Sequence, residues 1–398
     1  GTDDGLYVSV NAGKKWTKWT NGFPTVSVKD LVIHPREHDL VIGTFGRAAW
    51  VLDDIRPLRK IAQSNDVLTN NITLFAPPTG YQASYQQPTG SRFGGDALYN
   101  GENRGFGARI AYYLNKPKKE VKEDNKKSKK KSKTKKEDTK DAKEKKPEVK
   151  FDSIKFEFFD GDRLIRTLKR KTPKENGIHR LTWYMDEKGV ERPSRRTRKS
   201  KREPSGVSVK PGTYKVKATF GDKTSEQNIT IEYDPRLKLS KEAIDEKYNA
   251  YKKLEGYQKT IADIVKQLNE SKKIASDYKG KLAKEDKKKY KDAIGKSKNI
   301  VKKIDSLTSI YLGKVDKRQG ITRSPDVTVY QRLNTARWYV GSRFGKQTNT
   351  EARLIVQFEE AFKKALEGTN KFFSDDWKKY REELEKITIS PFKKTEIF

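Results

Sequence analysis

The chain has no cysteine among its 398 residues. That excludes disulfides, thiolate metal sites and a cysteine nucleophile, and it leaves any metal or triad chemistry to three histidines. It also lacks any run of about 18 apolar residues, so no segment reads as a membrane-spanning helix. Hydrophobic residues make up 33% against 36% charged, which excludes one large core and divides burial among smaller units. The length fits two or three domains. Aromatic residues supply the material for those cores, with 18 Tyr, 17 Phe and 6 Trp.

Positive charge is abundant. A net charge of +34 points towards nucleic acid, an anionic membrane surface or an acidic polysaccharide, but its distribution weakens that inference. Much of the excess lies in residues 115–150, "NKPKKEVKEDNKKSKKKSKTKKEDTKDAKEKKPEVK". This low-complexity stretch has almost nothing apolar and reads as a solvated, disordered insertion, with a polyanion-binding arm as the functional alternative. A second cluster spans 192–202, "RPSRRTRKSKR", where Arg195, Arg196, Arg198, Lys199, Lys201 and Arg202 are candidates for polyanion contact. Guanidinium groups suit bidentate phosphate, sulfate or carboxylate recognition, and the bland alternative is a solvated loop. Neither cluster has interleaved aromatics, which argues against a single-strand nucleic-acid groove.

The chain opens on "GTDDGLYVSVNAGKKWTKWTNGFP". Leu6-Tyr7-Val8 reads as a strand, Asn11-Ala12-Gly13 as a turn and Trp16–Trp19 as a second strand. No initiator Met or leader precedes this hairpin, so the reading is either a fold that begins abruptly or one that continues before Gly1. To about residue 75 the rhythm is one of short strands broken by Gly, Pro, Asn and Asp, as in sandwiches and propellers. A Gly/Gln/Asn-rich connector, 76–106, is expected to hold little regular structure. From 107 to 234 the alternation of Ile154, Phe156 and Phe158, an Asp160-Gly161 turn and a Gly221-Asp222 turn predict a small β-sandwich interrupted by the insertion 115–150. At Asp234-Pro235 the period changes. Ile244, Tyr248, Tyr251, Leu254, Ile261, Ile264, Val265 and Leu268 recur at helical steps behind a Ser240 cap, and later stripes follow through Ile304, Leu333, Phe358 and Leu384. An antiparallel helical bundle over 235–390 is expected.

Ser9-x-Asn11-x-Gly13-x-x-Trp16 resembles the Asp-box of bacterial-neuraminidase-repeat propellers, with Asn11 in place of Asp. In such a turn a polar side chain ties off backbone N–H groups while the aromatic packs beneath. "GTFGRAAWVLDDIRPLRK" is similar to the closing blade of large secreted bacterial propeller proteins described as sortilin-like or glycosyl-hydrolase-like. The matching residues are Gly46, Arg47, Trp50, Val51, Leu52, Asp53 and Asp54. In that family an "LF-x-P" stretch follows, then a sandwich with "P-P-G-T-Y", then "D-P-R" and helices. Here the corresponding segments are "LFAPP", Pro211-Gly212-Thr213-Tyr214 after Lys210, and Asp234-Pro235-Arg236, in that order. By the same Pro-Gly-Thr-Tyr hairpin the sandwich looks like the Ig-like fold of flagellar hook-capping proteins. The resemblance implies a multidomain β + α chain: an incomplete terminal blade, an Ig- or fibronectin-like sandwich and a helical bundle. A closed propeller needs at least ~4 blades, and about one is present.

No catalytic constellation can be assembled from the residues. A sialidase-like site needs an arginine cluster, a Tyr/Glu nucleophile pair and an acid Asp, and one blade offers only Arg47. Arg47 reads either as a ligand contact or as a structural group bonding backbone carbonyls, Asp53 or Asp54 at the blade closure. Asp53 and Asp54 are adjacent on a strand end and point to opposite faces, which is wrong for a glycosidase pair. They read as caps of the turn into Ile55-Arg56-Pro57. His34 and His38 flank "PRE" in a loop, where the spacing does not favour a metal, and His179 stands alone. No catalytic, metal or cofactor site is therefore assigned. The expected function is a non-catalytic scaffold or binding region of a secreted, periplasmic or cell-surface propeller protein, for a protein or glycan partner. The alternatives are an accessory region of a sialidase-like hydrolase and polyanion binding through the basic segments.

Overall fold

The structure, a computed structural model, describes residues 1–83, 105–117, 151–196, 202–315 and 327–387. The chain is a mixed α/β protein with several sheets followed by helices. It forms two compact units, one of Gly1–Met185 with Pro211–Arg236 and the other of Asp186–Lys210 with Leu237–Phe398.

In the first unit, β1 (Tyr7–Val8) and β2 (Thr17–Lys18) pair antiparallel across the Asn11 turn. A three-stranded antiparallel sheet follows, made of β3 (Val28–Ile33), β4 (Leu40–Thr44) and β5 (Ala49–Leu52). One face of it packs on a small core of Leu6, Phe23, Val28 and Ile42, with Trp50 set edge-on to Phe23 at 5.5 Å. Beyond β5 the chain turns into helix α1 (Arg56–Gln63) and the short α2 (Asp66–Thr69). The sequence reading had only a turn here, yet Pro57 stands in the first turn of α1, where a missing N–H costs nothing.

Two further sheets pack face to face. The five-stranded one runs in the order β10 (Arg163–Lys171), β9 (Ser153–Asp160), β14 (Gly212–Phe220), β15 (Lys223–Tyr233) and β7 (Gly80–Gln82). The three-stranded one is β11 (Gly177–Trp183), β8 (Ala108–Leu114) and β6 (Ile72–Leu74). All pairings are antiparallel except that of β7 with β15. The alternation along β9 buries Ile154, Phe156 and Phe158, and Phe158 stacks on Trp183 of the opposite sheet at 4.4 Å. Residues 72–82 thus give a strand to each sheet, although the sequence reading divided them between a blade end and an irregular connector. Much of that connector and of the lysine-rich insertion, 84–104 and 118–150, lies outside the described residues.

The second unit is built on α3 (Lys241–Asp286), α4 (Lys291–Leu312), α5 (Val329–Gly341) and α6 (Asn349–Lys371). A single π-helical turn, Phe372–Trp377, leads into α7 (Lys378–Leu384). Ser240, Thr328 and Thr348 cap three of these helices, and Thr348 forms a reciprocal capping box with Glu351. Leu254, Ile261, Val265, Ile304, Tyr311, Leu333 and Phe358 meet in one core. Two hydroxyl pairs are buried within it, Tyr311 with Thr369 and Ser297 with Tyr380, each at 2.9 Å. The short strands β12 (Asp186–Lys188) and β13 (Ser205–Ser208) belong to this unit.

Candidate functional site

The first candidate is the turn between β1 and β2. Asn11 Oδ1 accepts from the Lys15 N–H at 2.9 Å and from the Ser9 hydroxyl at 3.0 Å, while Ser9 Oγ accepts from the Gly13 N–H at 2.8 Å. Ala12 and Gly13 hold φ of 55° and 83°, so the left-handed pair is tied by side chains on both sides. The amide does the work proposed for it. Trp16 sets its indole against the turn, with Nε1 3.8 Å from where a Cβ of Gly13 would stand, and is still 61% exposed.

The second candidate is the strand end after β5. Asp53 and Asp54 part company there, because Asp54 takes a φ of 53°. Asp53 pairs with Arg109 on β8, and Arg180 on β11 donates to the Asp53 carbonyl at 2.5 Å. Asp54 turns the other way and accepts from Arg56 Nε at 2.6 Å and from the Arg56 N–H at 3.3 Å. Its own N–H is held by Asp39 at 2.9 Å. Each carboxylate is therefore engaged by a different arginine, and neither faces the other as an acid/base pair would. Arg47 is exposed, and its side chain has no hydrogen bond or ion pair among the described residues. Its expected bond to Asp53 or Asp54 is not made. Only its carbonyl is used, accepting from Trp50 Nε1 at 2.8 Å. Arg109 and Arg180, the true partners of Asp53, lie 56 and 127 residues away in sequence, beyond the reach of local pattern.

The histidines are occupied singly. His34 Nδ1 accepts from the Glu37 N–H at 3.1 Å, His38 Nδ1 meets Arg59 at 3.1 Å and His179 Nε2 meets the Glu175 carbonyl at 3.0 Å. No cluster of His, Asp and Glu among the described residues could hold a metal. A shallow cleft lined by Arg36, Glu37, Tyr81, Asp234 and Arg236 has its charges paired internally. Arg36 reaches Glu37 at 2.7 Å, and Arg236 reaches Asp234 at 2.8 Å and holds its carboxyl below the usual carboxylate range.

Of the basic cluster, Arg195 donates to the Gly313 carbonyl at the end of α4, so its guanidinium serves as a tether. The Arg196 N–H bonds Ser194 Oγ at 3.1 Å, and Asn269 donates to the Ser194 carbonyl at 3.0 Å. Arg202 is described and has partners of its own, whereas Arg198, Lys199 and Lys201 lie outside the described residues. Sequence reasoning missed a buried network that anchors the same segment. Glu187 accepts from Tyr248 Oη at 2.7 Å, and Lys252 Nζ lies 3.2 Å from Glu187 and 2.7 Å from Glu255. No helix of the described residues is long and apolar enough to cross a membrane. No protein family, curated protein or solved structure matches the chain.

Proposed function

We propose that this chain is the non-catalytic scaffold and binding region of a propeller-type protein of the secreted or cell-envelope class that its motif series resembles. In this reading β1–β5 form blade structure, the two packed sheets are an Ig-like sandwich, and the helices complete a module for a protein or glycan partner. The observation that carries it is the second face of the β3–β4–β5 sheet. Val32, Val41 and Val51 stand opposite one another across the three strands and are 54, 36 and 57% exposed. The other face packs on its own core at Val28 and Ile42, with Leu31 and Ile33 of β3 left 40 and 43% exposed. An antiparallel sheet with one solvated face normally makes that face polar, and a propeller blade instead rests it on the neighbouring blade. The reading is supported further by Asp53 and Asp54, each held by an arginine at the end of β5 rather than set against the other as an acid/base pair.

The test replaces Val32→Lys together with Val51→Glu, on the two edge strands. The melting temperature of the chain should hold within a degree or two of wild type, because both side chains face water. Association with a propeller polypeptide lacking its last blade, supplied in trans and followed by calorimetry, should be abolished. Association unaffected by the substitutions would overturn the blade assignment.

A further inference from the structure

The turn between α3 and α4 carries a dense concentration of positive charge. Residues 279–298 read "KGKLAKEDKKKYKDAIGKSK", with Lys281, Lys284, Lys287, Lys288, Lys289 and Lys291 exposed around the turn. The turn is a built element. Asp286 Oδ1 accepts from the N–H groups of both Lys288 and Lys289 at 2.9 Å, and the Tyr290 N–H bonds the Asp286 carbonyl at 3.1 Å. Leu282, Ala293 and Ile294 are buried beneath it. Of the three acids in this stretch, Asp286 is spent on backbone N–H groups, and the exposed Glu285 and Asp292 pair with none of these lysines, so the nine lysines of the stretch stay in excess. Lys296 pairs with Glu383 at 2.6 Å, but those six lysines have no ion-pair partner among the described residues.

The chemistry of the apex narrows what it can meet. It has no arginine, so it lacks the planar fork that reads a phosphate bidentately. Its one aromatic, Tyr290, is half-buried with Lys289 over its ring at 5.2 Å, so it offers no stacking platform for bases. No large apolar side chain is exposed there, so it cannot insert into hydrocarbon. A helix-hairpin end studded with mobile point charges matches a broad anionic surface rather than a groove or a single ionic ligand. We propose that the α3–α4 turn is an electrostatic docking site for an anionic lipid bilayer surface, binding headgroups without insertion. This does not depend on the propeller reading.

The test is co-sedimentation of the full chain with vesicles of phosphatidylcholine alone or enriched in phosphatidylserine, at low and high salt. Expected is binding to the phosphatidylserine vesicles only, lost at high salt as screening shortens the reach of the charges. Each lysine near such a surface contributes about 1 kcal/mol, so Lys287→Gln, Lys288→Gln and Lys289→Gln together should lower the partition coefficient about a hundredfold. The substitutions are on exposed side chains, and an unchanged melting temperature would show the fold intact. A second variant, Lys281→Gln with Lys284→Gln, should lose about thirtyfold by the same increments. Deleting 118–150 should leave binding within a few-fold. The proposal is overturned if both substituted variants bind as wild type, if the deletion abolishes binding, or if duplex DNA or a sulfated polysaccharide competes the chain off vesicles at equal charge.

Discussion

Lys252 stands between two carboxylates, Glu187 and Glu255, that the fold has almost removed from water. Burial pulls its pKa down, yet Glu255 and Glu187 outweigh burial, and it ends above the ordinary lysine value of 10.5. Lys252→Met removes the cation shared by both acids, leaving Glu187 its Tyr248 hydrogen bond, and should cost on the order of 2 kcal/mol, less than for a fully buried pair because the lysine keeps contact with water. A raised folded-state pKa means that this contribution is complete below the unfolded value and fades as pH climbs through the folded one. Denaturant titrations of wild type and variant should therefore differ by a constant amount at neutral pH and converge above about 10.5. A difference that persists unchanged into strong alkali would contradict the assignment. At the Asn11 turn, Asn11→Ala should cost about 1 kcal/mol by releasing the Lys15 N–H, and Asn11→Asp should restore it. Trp16→Ala, at an exposed position, should stay within about 0.5 kcal/mol, and a larger loss on thermal unfolding would return Trp16 to the core. The acceptor role of Asn11 was legible in the sequence because the turn is local. The partners of Asp53, Glu187 and Arg195 were not, because each bond joins residues brought together only by the fold.

Among the elements, legibility followed the range of the interaction that forms them. The β14–β15 hairpin and the helix caps at Ser240 and Thr348 rest on contacts a few residues apart and are plain in the pattern. Strands β6 and β7 are three residues each and are held by partners far along the chain, so propensity carries almost no trace of them. Two turns offer a matched comparison. Gly161 and Gly221 both adopt left-handed φ, 59° and 62°, but only a Cβ at Gly221 would run into the Phe151 ring. Gly161→Ala should cost about 1 kcal/mol for the backbone alone. Gly221→Ala adds overpacking and should cost about 2–4 kcal/mol in equilibrium unfolding. Equal losses would mean that Phe151 yields freely.

At the scale of the whole molecule, the chain leaves its β-rich unit at Met185, contributes 186–210 to the helical unit and returns at Pro211. Linear reading of strand patterns places that excursion inside the sandwich, whereas Glu187, Gln258 and Arg195 bind it to helices. Arg195, within the basic cluster, is accordingly a tether, and six exposed lysines without an ion-pair partner among the described residues surround the α3–α4 turn. Within the β-rich unit, Asp53, Asp54 and the three histidines are each engaged by another residue, whereas the Arg47 side chain has no partner among the described residues. Turnover assays test the proposed non-catalytic reading most directly. The full chain should be incubated with fluorogenic sialosides and aryl glycosides and the released fluorophore followed under saturating substrate. The expected rate is that of buffer, unchanged by Asp53→Asn or Asp54→Asn. A saturable rate that either substitution abolishes would contradict the scaffold reading and make the β5–α1 junction an active site.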